Sequence, residues 1–191
     1  MAADNKKLKV SVITVCYHAE QSIESTIRSV LFQTYPKIEF IVVDGDSQDK
    51  TLSIVNTYKD KIDKIISEKD TGIYEAMNKG VQSATGDILY FLNSDDHFFD
   101  EKVVSDMVDE FEKVPDIGIL YGKLSFVNVP SQHAAYYKNY HFQLRSKRHL
   151  LIQSNPQQCI FGRKSVFEQI GTFDPACRIC GDYDWCWSLA G

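Results

Sequence analysis

The chain has 191 residues, 43% of them hydrophobic and 25% charged, with a formal net charge of -5 at pH 7. That balance suits one globular domain and excludes a disordered or membrane-embedded chain. An acidic chain lacks the basic face that a phosphate backbone demands, which excludes nucleic acid as a bulk partner.

The first nine residues are polar and hold no signal-type apolar core, and no apolar run reaches the roughly 20 residues of a membrane span. These features predict a cytoplasmic protein. The cysteines are Cys16, Cys159, Cys177, Cys180 and Cys186, an odd set without a secretory signal, which predicts reduced thiols. Cys177 and Cys180 form a lone C-x-x-C. No second pair or His pair completes a zinc site, so they read as ordinary loop cysteines.

Val10 to Val15 is β-branched and almost wholly apolar, which predicts a strand buried on both faces. Ile23, Ile27, Val30 and Leu31 then fall at helical spacing within Glu20 to Phe32, and Pro36 stops that helix. Phe40 to Val43 predicts a second buried strand, ending in Asp44. Gly45 to Asp49 is a turn with capping chemistry, in which Asp44, Ser47 and Asp49 are rival caps. Leu52, Val55 and Tyr58 mark a second helix, and Lys64 to Ser67 a short third strand. After Asp70, Thr71 and Gly72 comes the clearest helix. Ile73, Ala76, Met77, Gly80, Val81 and Ala84 lie at i, i+3, i+4, i+7, i+8 and i+11. Gly80 on that stripe predicts close backbone approach. Asp87 to Leu92 is a fourth strand, running into Asn93, Ser94, Asp95 and Asp96.

Strands alternating with helices predict a mostly parallel sheet flanked by helices, in one continuous α/β domain. Ligands of such sheets bind outside the carboxyl ends of the strands, where Asp44, Asp70, Asp95 and Asp96 are expected. Adjacent carboxylates such as Asp95 and Asp96 repel each other and are best tolerated with a cation between them. His97 beside them reads as incidental. A solvated turn is the structural alternative for the pair, and a turn acid the alternative for Asp44. Tyr17 and His18, after the first strand, are candidates to line a nucleotide face.

Asp100 is expected to cap a helix burying Val103, Val104, Met107, Val108 and Phe111. Ile117 to Val129 reads as one or two strands. From Pro130 to Asn155 periodicity fails, and Tyr136, Tyr137, Tyr140 and Phe142 mix with Lys138, Arg145, Lys147, Arg148 and His149. That segment is either a solvated face with aromatic anchors or an acceptor- or membrane-facing surface. Pro156 to Phe161 is a short apolar approach, Lys164 to Ile170 a brief helix ended by Gly171, and Phe173 to Pro175 a turn. The described pattern changes character near residue 98.

Six ordered blocks resemble the family 2 glycosyltransferases: Val10–Tyr17, Ser29–Pro36, Ile41–Ser47, Asp70–Gly80, Ala84–Asp96 and Gly181–Asp184. The resemblance covers nearly the whole chain. It implies a GT-A, Rossmann-like fold and the inverting transfer of a hexosyl or N-acetylhexosaminyl group, as in non-processive bacterial polysaccharide biosynthesis. The implied donor is a nucleotide-diphosphate sugar, with UDP favoured. The implied cofactor is Mn2+ or Mg2+, and the implied acceptor a glycan or lipid-linked hydroxyl reached by peripheral contact at the inner face of the cell membrane. By resemblance Asp44, Asp70 and Asp95 serve the nucleoside, Asp96 with Asp95 the metal, and Asp182 the general base; Tyr17, from its place after the first strand, is a further nucleotide contact, and Asp184 is the second candidate for the base. Residues 1–98 form the donor half and 99–191 the acceptor and catalytic half.

Three departures stand out. Many relatives carry two adjacent acids where this chain has Asp44 and Gly45. Met77 stands where many have Arg. The Gln-x-x-Arg-Trp motif of processive synthases is absent, which implies one sugar per encounter. Relatives also continue past the late acidic motif, which implies a further C-terminal part. For Asp182 the structural alternative is a helix N-cap. Two other functions compete. A metal-dependent nucleotidyltransferase needs a basic glycine-rich loop, which Val15 to Glu20 does not offer. A nucleotide-sugar-binding scaffold is the other, favoured by the Met77 departure.

Overall fold

The computed structural model describes residues 7–122, 157–177 and 181–188. Its elements are β1 (Val10–Cys16), α1 (Ile23–Leu31), β2 (Ile38–Asp44), α2 (Thr51–Thr57), β3 (Lys64–Ser67), α3 (Ile73–Ser83), β4 (Ile88–Phe91), α4 (Val103–Lys113), β5 (Ile119–Tyr121), β6 (Ile160–Arg163), α5 (Lys164–Ile170) and α6 (Gly181–Ser188). The sheet order is β3-β2-β1-β4-β6-β5. The first four strands are parallel, while β6 runs antiparallel to both β4 and β5. The sheet is therefore mixed, and the second half of the chain completes it rather than forming a separate body.

Side-chain alternation splits the core in two. Val10, Val12 and Cys16 of β1 pack with Phe40, Val42, Ile88 and Tyr90 beneath α1, α2 and α4. Ile13 and Val15 pack with Ile41, Val43, Leu89 and Phe91 against α3, α5 and α6. Burial on both faces is why these strands are continuous apolar runs. The chain turns back across β1 between β3 and β4, so α3 crosses the opposite face from α1 and α2. Gly80 makes that crossing tight: a Cβ there would stand 2.4 Å from Ile13 Cγ2.

Local differences have local causes. Of the stretch Pro156 to Phe161, whose proline lies outside the described residues, Gln157–Cys159 form a 3-10 turn and Ile160 opens β6, which reaches Arg163 and pairs with β4. Asp100 does not cap α4. Its Oδ1 accepts the Lys102 N–H at 2.8 Å, closing a turn just before the helix. None of the rival caps after β2 is the N-cap of α2, which is Lys50: Asp49 Oδ1 accepts the Thr51 N–H at 2.9 Å, closing a turn just before the helix. The aromatic–basic stretch 130–155 lies outside the described residues, as does Cys180. Among the described residues no helix is long and apolar enough to cross a membrane.

Candidate active site

Strands β1, β2 and β3 end level, while the pairing of β4 with β1 stops earlier, at Ile13 and Phe91. Cys16 pairs with Asp44 and Asp44 with Ser67 across the register. Beyond these ends opens a cleft of about 1170 Å³. Its walls come from Val15–Ala19 at the end of β1, Gly45, Asp46 and Gln48 after β2, Lys69–Ile73 after β3 and Asn93–Asp95 after β4. This is the point where strand order reverses, the usual ligand crevice of an open α/β sheet.

Asp70 and Asp95 line the cleft, as does Tyr17. Tyr17 is 63% exposed, and its ring stacks on His18 with centroids 4.0 Å apart. His18 holds a left-handed φ of 49°, secured by its N–H bonding Ser47 Oγ at 2.9 Å. Asp70 Oδ1 accepts the Gly72 N–H at 3.1 Å. Burial, opposed by that bond, pushes the Asp70 carboxyl up. Gly45 lies against it, and a Cβ there would stand 2.7 Å from Asp70 Oδ2.

Asp44 is placed differently: it lies under the cleft floor, fully buried. Its Oδ2 accepts Ser67 Oγ at 2.8 Å and the Ser47 N–H at 3.2 Å, and Oδ1 faces Cys16 Sγ at 3.8 Å. Burial and the neighbouring Asp44 charge push the Cys16 thiol far up, so this is an inert, neutral cysteine.

The acidic corner after β4 is gripped from α1. Thr26 Oγ1 lies 2.9 Å from the Ser94 carbonyl oxygen and 2.7 Å from that of Asp96. Ser29 Oγ accepts the Phe98 N–H, while Gln33 bonds the Asp100 carbonyl and the Val104 N–H. The stretch Ser29 to Pro36 is thus a clamp on the chain that follows the acid pair. Asp95 is exposed, whereas Asp96 is half-buried with Gln158 as a hydrogen-bonding neighbour. Burial first, then the Asp95 charge, pushes the Asp96 carboxyl up. Asp96 Oδ2 and Asn93 Oδ1 are buried and have no hydrogen-bond partner.

Among the described residues no group of three or more His, Cys, Asp or Glu gathers as a metal cage. The donor set present is two carboxylates plus an orphaned amide oxygen, all hard ligands. That set fits an ion such as Mg2+ or Mn2+, which takes its remaining ligands from phosphate and water.

Asp182 stands in the first turn of α6 and is not among the residues that line the cleft. It borders a small apolar cavity of about 10 Å³ with Phe91, Phe167, Phe173 and Trp185. Trp185 stacks on Phe167 at 4.3 Å and donates Nε1–H to the Gly171 carbonyl at 2.8 Å. Tyr74 of α3 donates to Asp182 Oδ1 at 3.0 Å.

Asn93, Gln158, Thr26 and Tyr74 were not singled out by sequence reading. Tyr74 falls between the apolar positions of the α3 stripe, and Gln158 in a stretch with no periodic signal. The block Asp70–Gly80 did contain Tyr74, so motif membership was the one signal available.

The family model for glycosyl transferase family 2 matches residues 11–171. An uncharacterised glycosyltransferase of Mycobacterium tuberculosis is 36% identical over 114 residues, covering 59% of this chain and 44% of that protein. The PGL/p-HBAD biosynthesis glycosyltransferase of Mycobacterium bovis is 28% identical over 178 residues, covering 92% and 67%. The chain thus spans about half to two thirds of the length of these relatives. The crystal structure of Staphylococcus aureus TarS 1-349 superposes with a TM-score of 0.80 at 23% identity, over 96% of this chain and 55% of that one. A mannosyltransferase from Pyrobaculum calidifontis, solved with GDP-Man and Mn2+, gives a TM-score of 0.67 at 21% identity, over 90% and 49%. The fold is that of the GT-A glycosyltransferases. With its sheet, its cleft and a family match over most of its length, the chain belongs to glycosyl transferase family 2.

Proposed function

We propose that the chain is the donor-binding and catalytic region of an inverting, divalent-metal-dependent transferase using a UDP-sugar. The observation that carries this reading is the acid corner after β4: exposed Asp95 lines the cleft, and next to it Asp96, not itself among the lining residues, holds an Oδ2 that is buried without a partner. An orphaned buried carboxylate oxygen is costly unless a cation completes it.

In this reading Tyr17 offers its exposed ring to the nucleobase and Asp70 accepts hydrogen bonds from the nucleoside. Asp44 acts from below, by holding the turn Gly45–Ser47 through its bond to the Ser47 N–H. Asp95 and Asp96 hold the metal, with Asn93 beside them. The ion, when bound, supplies Lewis-acid neutralisation of the departing diphosphate. Asp182 takes the proton of the acceptor hydroxyl as that oxygen bonds the anomeric carbon. The bond from that carbon to the diphosphate breaks on the opposite face, and the nucleoside diphosphate leaves with the electron pair.

Solved relatives of the fold were captured with UDP, UDP-GlcNAc or GDP-Man and Mn2+. Other relatives are named for teichuronic acid and PGL/p-HBAD biosynthesis. These names favour a glycan or lipid-linked acceptor. The test is thermal unfolding with UDP in the presence and absence of Mn2+. A stabilisation that requires both and disappears in Asp96→Ala is expected. No shift with UDP, GDP or dTDP species at any metal concentration overturns the donor-site reading.

A further inference from the structure

Tyr74 and Asp182 are 108 residues apart and joined by one hydroxyl. Tyr74 is buried in α3. Its hydroxyl accepts the Gly181 N–H at 2.8 Å and donates to Asp182 Oδ1 at 3.0 Å. A phenol has a single proton, so here the proton goes to the carboxylate and a lone pair to the amide. That amide opens α6, where a helix leaves its first N–H groups without internal partners.

The ring has little freedom. A Cβ on Gly181 would stand 2.8, 2.9 and 3.0 Å from three ring carbons, and Phe173 packs on the ring at 5.7 Å. One turn along the same helix, Asn78 Nδ2 donates to the Phe173 carbonyl at 2.7 Å, and its Oδ1 accepts the Phe173 N–H at 3.0 Å. Positions i and i+4 share a helix face, so α3 pins the second half of the chain at two points. The same helix begins at the cleft, where Gly72 and Ile73 form part of the wall.

We propose that Tyr74 is the positioning residue for Asp182, carried on the helix that also borders the donor cleft. The hydroxyl fixes Oδ1 and leaves the second carboxylate oxygen to take the acceptor proton. The proposal rests on the assignment of Asp182 as the base. The other side chains bordering the cavity beside Asp182 are Leu89, Phe91, Ile160, Phe167, Phe173 and Trp185, all uncharged, while Asp184 shares its helix. Tyr74 is therefore the polar group that faces the carboxylate from α3.

The experiment compares the parent chain with Tyr74→Phe, which keeps the packed ring and removes the hydroxyl. The probes are UDP with Mn2+ for binding and release of UDP from UDP-GlcNAc for turnover. Stabilisation by UDP and Mn2+ should equal the parent's, which reports an intact fold and donor site. Hydrogen exchange at the Gly181 amide should quicken by about tenfold, the loss of one buried hydrogen bond. Turnover should fall by up to roughly 100-fold in kcat from misplacement alone, with the donor KM within about twofold. That loss in kcat at a held donor KM is a change that a purely structural role would not produce. Unchanged exchange at Gly181 overturns the proposal without any turnover being measured, and so does a parental kcat. Asp182→Asn separates the two ideas. Parental turnover in that variant removes the base assignment itself, whatever Tyr74→Phe does.

Discussion

Thr26 Oγ1 lies 2.7 Å from the Asp96 carbonyl oxygen, so a fully buried hydroxyl on α1 holds the turn that presents the acid pair. The same oxygen is 2.9 Å from the Ser94 carbonyl, and its one proton serves both. Helix α1 thereby couples the sheet face it covers to the lip of the cleft.

Thr26→Val keeps the shape of the side chain and deletes the bond. The carbonyls of half-buried Ser94 and Asp96 then lose their donor, at a cost of roughly 1 kcal/mol. The expected result is a lower urea midpoint and a weaker Mn2+-dependent stabilisation by UDP, both read on the same sample. A normal UDP response with the lower midpoint confines Thr26 to stability.

Gly45→Ala addresses the cleft floor. The added Cβ would meet Asp70 Oδ2 at 2.7 Å, so the Asp70 carboxylate must swing away. Titration calorimetry with UDP and Mn2+ should show affinity reduced about tenfold, or roughly 1.4 kcal/mol. Unchanged affinity denies Asp70 a nucleoside contact.

Glu39 ties the opposite edge of the sheet. It is 3% exposed and accepts Ser11 Oγ at 2.5 Å, the Thr85 N–H and Oγ1 at 2.7 Å, and Lys9 Nζ at 3.1 Å. Burial pushes its carboxyl up, but these bonds outweigh burial and hold it at about 2 against an ordinary 4.5. The folded state therefore binds the proton less readily than the unfolded one. Its stabilising share is complete above pH 4.5 and fades as pH falls to about 2. That shift corresponds to roughly 3 kcal/mol. Glu39→Gln should destabilise the chain at pH 7 by an amount of that order. Urea unfolding at a series of pH values should show the gap between parent and variant closing within that acid window.

What the sequence by itself determined is the sheet and its order of helices. β1, β2 and β4 are buried on both faces, so their apolar runs carry the signal alone, and the α3 stripe marks its own buried side. The tight crossing at Gly80 was legible too, because a glycine on a buried stripe has few other reasons to be there. The acids were expected at one sheet edge, and that edge is where they stand.

Only the tertiary structure decided what each acid faces. Asp44 is the last residue of β2 and lies buried between Ser67 and Cys16, whereas Asp95 stands beyond the end of β4 and opens to the cleft. Where the pairing of each strand stops makes that difference, and no local pattern encodes it. The second half was harder for the same reason. β6 is four residues long and antiparallel, and α6 shows no apolar stripe. Their places are fixed by distant partners: Tyr74 on Gly181 and Asp182, Trp185 on Gly171 and Phe167. Contacts across more than a hundred residues leave no periodic trace in either segment, so the setting of Asp182 became visible only once α3 and α6 were seen together.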